Sequence, residues 1–141
     1  MDESIIRVRK PQILDIEKFI STAGSSLNTF RYFKNRDVSC VESHVVTFLY
    51  KQGDDFLGYG HLDKEGDDVW LGICVAESHL GRGYGKQIMI DLLDAGSEQG
   101  IKSIRLTVDV NNSIAVKLYQ KLGFFIESTV NNTFYMRLLL K

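Results

Sequence analysis

Residues 80–86 read LGRGYGK, with glycines at every second position, one cation (Arg82) between them and a second (Lys86) directly after them. Glycine loses more backbone freedom on folding than any other residue, so an ordered run of glycines needs a reason. The run follows the strand-like segment DVWLGICV (68–75) and precedes a helical pattern marked by Ile88, Leu92 and Ala95. A glycine-rich turn before a helix offers free backbone N–H groups and the positive end of the helix dipole. The stretch therefore predicts a binding site for an anion, such as the phosphate of a ligand.

Two common phosphate-binding patterns do not fit this stretch. The P-loop pattern needs glycine at position 80 and serine or threonine at position 87, where this chain has Leu80 and Gln87. The dinucleotide fingerprint needs G-x-G-x-x-G, whereas Gly81, Gly83 and Gly85 form G-x-G-x-G. The spacing therefore excludes the nucleotide-binding domains that carry these two patterns.

Outward from this stretch, the chain shows strand and helix patterns in the order β-α-α-β-β-β-α-β-α-β-β. Pro11 opens a helix that Gly24 ends, and LNTFRYFKNR (27–36) fits a second short helix. Three β-branched and aromatic runs between 44 and 76 predict an antiparallel meander. The later predictions are a helix over 83–99, a strand over 102–110, a helix over 111–123 and two strands around the turn VNN (130–132). This order predicts an α+β fold whose fourth and fifth strands lie side by side and parallel.

Length and composition fit one globular domain over residues 1–141, with 44% hydrophobic and 25% charged residues. A formal net charge of −1 leaves no broad basic surface for a nucleic acid or an anionic membrane. No apolar run approaches the roughly 20 residues that span a bilayer. The start MDESIIRVRK lacks the cationic opening of a signal peptide. We therefore expect a cytoplasmic protein with neither nucleic acid nor membrane as a partner.

The cysteines and histidines show no pattern typical of a metal site. Cys40 and Cys74 lie far apart in the sequence, and we expect two buried thiols rather than a disulfide. His44, His61 and His79 do not have metal-ligand spacing with these cysteines. No metal is therefore expected.

Two segments resemble signatures of the GCN5-related N-acetyltransferase (GNAT) superfamily. VAESHLGRGYGKQIMIDLL (75–93) resembles the acyl-CoA-binding motif [QR]-x-x-G-x-[GA], with Gly83 and Gly85 at the two glycine positions and Leu80 at the usual Gln or Arg. VDVNNSIAVKLYQKLGFF (108–125) resembles the segment N-x-x-A-x-x-L-Y-x-x-x-G-F. The two segments stand in the family's order, separated by one predicted strand.

The resemblance implies the fold of that family. Its central mixed sheet has about seven strands flanked by about four helices, and its fourth and fifth strands splay apart. It also implies acetyl-CoA as cosubstrate, with the pyrophosphate on the loop amides and the pantetheine arm along the fourth strand. The residues carried over as cofactor contacts are Ile73, Cys74, Val75, Gly81, Arg82, Gly83, Tyr84, Gly85, Lys86 and Asn112.

The activity that the resemblance implies is direct transfer of the acetyl group to a primary amine in a ternary complex. Tyr119 stands at the position of the family's acid, which protonates the leaving thiolate. No carboxylate precedes Glu77 on the fourth strand, where the family often places its base. His61 on the third strand and a chain of waters are the two alternatives for the base.

The acceptor is expected to contact the segment TFRYFKNR (29–36). This segment places Arg31 and Arg36 beside Phe30 and Tyr32, and planar cations with aromatic rings suit an amine that carries a phosphate or carboxylate. We expect a small acceptor, such as an amino sugar or an amino acid. A protein or peptide acceptor and a non-catalytic acyl-CoA-binding module are the alternatives. The last strand, apolar on both faces and near a sheet edge, predicts a homodimer.

Overall fold

The computed structural model describes residues 5–140. Its strands are β1 (Ile5–Val8), β2 (Val46–Gln52), β3 (Asp55–Glu65), β4 (Asp68–Val75), β5 (Ser103–Asp109), β6 (Phe125–Val130) and β7 (Thr133–Leu139). Its α-helices are α1 (Ile13–Thr22), α2 (Tyr84–Glu98) and α3 (Ser113–Lys121). Short 3₁₀ helices cover Gly24–Asn28, Val38–Ser43 and Glu77–His79. The predicted meander and the three longer helices are confirmed.

The seven strands form one mixed sheet in the order β1-β2-β3-β4-β5-β7-β6. Only β4 and β5 are parallel, as predicted for two strands joined through a helix. Their pairing is confined to Trp70 and Arg105, whereas β3 and β4 pair along their whole length. A cavity of about 480 Å³ lies between the later residues of β4 and β5. The splayed fourth and fifth strands are therefore present.

Two hydrophobic clusters cover the two faces of the sheet. On one face Ile88 and Leu92 of α2 pack closely on β3, because Gly60 has no side chain: a Cβ there would lie 2.6 Å from Ile88 Cγ2. On the other face the buried residues Ile16 and Phe19 of α1 pack in the second cluster. The strands that line the cavity are therefore packed against helices on both faces of the sheet.

The ends of α2 and the start of α3 carry residues that commonly bound helices. The residue before α2, Gly83, has φ +84°, and Gly100 just beyond the helix has φ +75°, both in the left-handed region that glycine tolerates. At the start of α3 the side-chain oxygen of Asn112 accepts from the Ala115 N–H at 3.4 Å. In each case the boundary follows from the local sequence.

The second short helix predicted over 27–36 is wrong. Beyond the 3₁₀ helix Gly24–Asn28 the chain runs through turns as far as Arg36. Phe30 and Tyr32 both turn their rings to His61, with centroids 6.3 and 4.2 Å away. Residues two apart on an α-helix point to different sides, so packing against the sheet excludes the helix.

The last strand does not lie at the sheet edge, which corrects the argument given for a homodimer. β7 pairs with β5 on one side and with β6 on the other. The edge strand at this end of the sheet is β6, all of whose residues are exposed. Within residues 5–140, no helix is long and apolar enough to cross a membrane.

Candidate active site

The cavity between β4 and β5 collects side chains from distant parts of the sequence. The expected site residues that line it are Phe30, Arg31, Tyr32, Arg36, His61, Ile73, Asn112 and Tyr119. The chain segment before β2, the strands β3 and β4, and the helix α3 with its N-cap each contribute to this set, and β5 adds further lining residues. The two groups of residues expected to handle the acceptor and the chemistry therefore share one cleft.

The glycine loop forms a separate feature just before α2. A Cβ at Gly81 or Gly83 would meet nothing within 4 Å, so both glycines are needed for their positive φ and not for lack of space. The start of α2 has no side-chain cap and no acidic residue in its first turn. Its first N–H groups therefore remain free, and Arg82 and Lys86 are exposed beside them. Open space, free donors and positive charge fit a pyrophosphate.

The backbone of β4 presents donors to the cleft at alternate residues. The Ala76 N–H donates to Leu57 O at 2.8 Å, so it points toward β3. In an antiparallel ladder the direction alternates, so the N–H groups of Ile73 and Val75 point away from β3 and toward the cleft. Cys74 points its N–H toward β3 and buries its side chain against α1. Ile73 and Val75, but not Cys74, can therefore offer backbone donors from β4 to an extended ligand.

His61 lies opposite a glycine of β4. It pairs with Gly72, and a Cβ on Gly72 would lie 2.6 Å from His61 Nε2. The glycine therefore makes room for the imidazole, which is 2% exposed and lines the cleft. On the other side of the ring, Nδ1 lies 2.6 Å from Tyr59 Oη. His61 is thus held at Nδ1 while Nε2 faces β4.

Burial keeps His61 uncharged. Loss of solvent lowers the pKa of His61 well below its usual value, and the charges of His44 and Arg36 lower it further. A neutral imidazole can accept a proton, provided that Nδ1 carries the ring proton and donates it to Tyr59. The environment therefore supplies the protonation state that a base requires.

A second histidine belongs to a hydrogen-bonded network beside His61. Tyr32 Oη donates to Asp63 Oδ2 at 2.8 Å and lies 2.6 Å from His44 Nε2. Burial, followed by the hydrogen bond to Asp63, raises the pKa of Tyr32, so the phenol keeps its proton. Because Tyr32 uses this proton to donate to Asp63, its oxygen accepts from His44 Nε2–H, and His44 Nδ1 accepts from the Thr47 hydroxyl at 3.0 Å. The network fixes the ring of Tyr32 in the cleft.

Tyr119 projects from α3 into the same cavity. The residue is 9% exposed, and burial raises the pKa of its phenol to about 12. The hydroxyl therefore remains protonated at neutral pH and can donate a proton. Asn112, about two turns earlier, caps the helix and also lines the cavity, so capping is compatible with its expected contact to the cofactor.

The two arginines differ in their surroundings. Arg31 donates through Nη1 to Asn28 O at 2.7 Å and through Nη2 to Asp109 at 3.2 Å. Arg36 donates to Tyr32 O at 2.8 Å, and its Cζ lies 4.1 Å from the centre of the Tyr32 ring. Across the described residues, no carboxylate forms an ion pair with Arg36.

Sequence reasoning missed several residues of the cleft. Trp70 and Tyr135 line it and contact each other edge to face at 6.2 Å. Glu65, Gly72 and Asp109 line it as well. Only Gly72, a glycine within a strand pattern, carried a signal of close approach. No group of three or more His, Cys, Asp or Glu among residues 5–140 is arranged to hold a metal ion.

Comparison with known proteins gives a family match over most of the chain. The sequence model of the Acetyltransferase (GNAT) family matches residues 11–124. The chain is 30% identical over 93 residues to the L-amino acid N-acetyltransferase AaaT of Escherichia coli K12, covering 65% of this chain and 54% of that protein. It is 28% identical over 102 residues to the [ribosomal protein bS18]-alanine N-acetyltransferase of the same strain, covering 63 and 68%. The chain spans 15 to 68% of the length of the curated relatives it matches.

Solved structures share the fold at low identity. The PaiA N-acetyltransferase of Thermoplasma acidophilum in complex with coenzyme A superposes with a TM-score of 0.79 at 21% identity, covering 97% of this chain and 99% of that chain. The YncA acetyltransferase of Salmonella typhimurium, with acetyl-CoA, gives 0.78 at 14% identity, covering 97 and 94%. The first of these structures contains coenzyme A and the second contains acetyl-CoA.

Proposed function

Because the chain belongs to the Acetyltransferase (GNAT) family, we propose that it transfers the acetyl group of acetyl-CoA to the primary amine of a small molecule. The observation that carries this proposal is the joint position of His61 and Tyr119 on one cleft, together with the uncapped, glycine-opened helix start that follows β4. The transfer is direct, within a ternary complex. It needs no covalent enzyme intermediate, in keeping with the burial of Cys74.

Acetyl-CoA supplies the activated acetyl thioester. The free N–H groups at Tyr84, Gly85 and Lys86 hold its pyrophosphate, assisted by Arg82. The N–H groups of Ile73 and Val75 bond the pantetheine arm, and a donor of this kind stabilises the oxyanion of the reacting carbonyl. Asn112 at the start of α3 completes the set of cofactor contacts.

His61 accepts a proton from the acceptor amine through Nε2. An alkylammonium has a pKa near 10, so the attacking amine must lose a proton before or during attack. His61 is neutral, lines the cleft, and is held by Tyr59 at Nδ1. A water chain is the alternative base, and it predicts a different result when His61 is replaced.

We expect His61→Gln to lower kcat/KM for the amine by about 100-fold at neutral pH while leaving acetyl-CoA affinity within a few-fold. Glutamine keeps much of the side-chain volume but cannot act as a base. Calorimetry with CoA and initial rates with saturating acetyl-CoA measure the two quantities. If His61→Gln has the circular dichroism spectrum of the wild type and also its turnover, water is the base instead of His61.

Tyr119 donates a proton to the departing thiolate. Its raised pKa keeps the phenol protonated, and its position on α3 places it across the cleft from β4. The thiol that leaves has a pKa near 8.5, so an acid helps without being indispensable.

The acceptor class comes from the composition of the cleft. Phe30, Tyr32 and two arginines favour an amino acid or an amino sugar, and one relative is named as an L-amino acid N-acetyltransferase. Another relative is named for the alanine of a ribosomal protein, so a protein N-terminus is the second candidate. A module that binds acyl-CoA without turnover is the third.

The experiment that tests the proposal is an acceptor screen with acetyl-CoA that monitors release of free thiol. Amino acids, amino sugars, polyamines and peptides form the panel. We expect amine-dependent thiol release with at least one small amine. Tight CoA binding with no release above hydrolysis for any amine would support the non-catalytic module, and release with peptides alone would support a protein acceptor.

A further inference from the structure

We propose that the acceptor carries an anionic group, a carboxylate or a phosphate, close to its amine, and that Arg36 binds this group. The inference rests on the proposed acetyltransferase activity and specifies the class of its acceptor. It follows from the unequal surroundings of the two arginines that line the cleft.

The charge of Arg31 is already compensated inside the protein. Its Nη2 lies 3.2 Å from Asp109 Oδ1, and its Nη1 donates to the carbonyl of Asn28 at 2.7 Å. Arg36 has one internal hydrogen bond, to the carbonyl of Tyr32 at 2.8 Å, and no ion pair within the described residues. Arg36 therefore brings an uncompensated positive charge and free N–H groups to the cleft, which a bidentate anion can match.

The guanidinium of Arg36 rests on a fixed platform. Its Cζ lies 4.1 Å from the centre of the Tyr32 ring, in cation–π geometry. Tyr32 is in turn held through its hydroxyl by Asp63 at 2.8 Å and by His44 at 2.6 Å. An exposed arginine on a flexible loop would lose much conformational entropy on binding, and this stacking reduces that cost.

The platform also places Arg36 near the proposed base. The ring centres of Tyr32 and His61 are 4.2 Å apart, and Arg36 Cζ lies 4.1 Å from the centre of the Tyr32 ring. Arg36 and His61 therefore both lie next to the Tyr32 ring. A single small molecule can therefore present its anion to Arg36 and its amine to His61. This spacing favours an amino acid or a phosphorylated amino sugar over a long acceptor whose charges are far apart.

Binding of an anion at Arg36 would also improve the base. Arg36 is one of the charges that lower the pKa of His61, after burial and the nearby His44. An anion on Arg36 offsets that contribution, so the imidazole becomes a stronger base once the acceptor is bound. Of the other polar groups that face His61, Tyr59 and Tyr32 keep their protons, and burial lowers the pKa of His44, whose ring centre lies 4.5 Å away.

The test compares acceptors that differ only in the anionic group. Alanine is paired with alaninamide, and glucosamine 6-phosphate with glucosamine, so the two pairs separate carboxylate from phosphate. Spermidine forms a third arm, because Glu65 also lines the cleft without an ion pair in residues 5–140. We expect kcat/KM to be about 10- to 100-fold higher for the anionic member of at least one pair, the range for a charge-assisted hydrogen bond.

Substitution of Arg36 identifies the residue responsible. Arg36→Gln should raise KM for the anionic acceptor by about 10- to 100-fold and leave KM for its neutral partner and for acetyl-CoA unchanged. Arg36→Lys should recover part of the preference, because the charge remains but the planar fork is lost. Lys34→Gln, which removes an exposed cation of the same segment outside the cavity, should leave the preference intact.

The outcomes separate the two proposals. Thiol release with neutral amines or spermidine that equals or exceeds release with the anionic members would overturn this inference and leave the acetyltransferase activity standing. A folded Arg36→Gln variant that keeps the wild-type preference for the anionic acceptor would also overturn this inference and leave the acetyltransferase activity standing. Absence of amine-dependent thiol release across the whole panel would overturn the activity, and the inference with it.

Discussion

Tyr119 is the residue whose replacement gives the sharpest test of mechanism. Tyr119→Phe keeps the buried ring and removes only the hydroxyl that lines the cleft. We expect turnover to fall by about 10- to 1000-fold with acetyl-CoA affinity within a few-fold, as for loss of one positioned acid. Because burial raises the pKa of the phenol to about 12, the wild-type rate profile should show no phenol titration near neutral pH.

Tyr135→Phe is the matched control for Tyr119. Tyr135 lines the same cavity from β7 and contacts Trp70 through its ring. Its variant should keep the turnover of the wild type. Rates are measured where chemistry limits turnover. A Tyr119→Phe enzyme as fast as the wild type would reject the acid role and leave water as the proton source.

The glycines at the two ends of α2 separate backbone strain from ligand binding. Gly83 and Gly100 have φ of +84° and +75°, and an added Cβ would meet nothing within 4 Å at either position. Alanine at either position should therefore destabilise the fold by a similar amount, about 1 to 2 kcal/mol. Only Gly83→Ala should also weaken CoA binding, because its methyl lies at the approach to the free N–H groups.

Urea denaturation measures the stability of both glycine variants, and calorimetry measures their CoA affinity. We expect Gly83→Ala to lower the affinity for CoA by at least about tenfold, because this is the effect of losing one backbone hydrogen bond to a charged group. Equal CoA affinities for the two variants would mean that the glycines serve the turn alone.

At the scale of elements, β3 and the segment before β2 carry two buried histidines that make stability depend on pH. Burial lowers the pKa of both His61 and His44 relative to the unfolded chain. Below about pH 6.5 the unfolded chain takes up protons that the folded protein does not, so stability falls as the pH drops. Each such histidine adds a slope of at most about 1.4 kcal/mol per pH unit, reached where it is protonated in the unfolded chain and neutral in the folded protein.

We expect His61→Gln to reduce this slope by about 1 kcal/mol per unit between pH 5.5 and 6.5, where the unfolded histidine is only partly protonated, with a further reduction when His44 is also replaced. Urea unfolding at several pH values measures it. If the single variant keeps the wild-type slope, His61 takes up its proton in the folded protein as readily as in the unfolded one.

At the scale of the whole molecule, β6 forms an open edge with apolar side chains. Phe125, Ile126 and Val130 are 46, 40 and 50% exposed, and one side of the strand has no partner within the described residues. Such edges tend to pair with another chain. The homodimer stays a prediction, now placed on β6 instead of the last strand, and the cytoplasmic location also stays a prediction.

Light scattering at micromolar concentration measures the oligomeric state. We expect a dimer for the wild type and a monomer for Ile126→Lys, since a charge on an edge strand opposes pairing. Leu14→Lys, which alters an apolar residue of α1 that is 59% exposed, is the matched control and should leave the dimer intact. A monomeric wild type would remove the prediction.

The sequence alone determined the features that depend on local spacing. The strand and helix patterns, the glycines that bound α2, and the cap at Asn112 all follow from residues within a few positions of one another. The parallel pairing of β4 and β5 also follows, because a strand joined to the next strand through a helix pairs in this way. The glycine loop and Tyr119 likewise stand within short motifs, so the sequence is enough to single them out as candidates.

The tertiary structure decided what depends on contacts between distant residues. His61 faces the cleft because the sheet register places it opposite Gly72, where a side chain would exclude it. Asp109 compensates Arg31 and leaves Arg36 without an ion pair in residues 5–140, although the two arginines look alike in the sequence. The aromatic segment 29–36 around them is not helical, because its rings pack on the sheet. Local patterns carry no information on such pairings, because the free energy of each comes from burial against residues far along the chain.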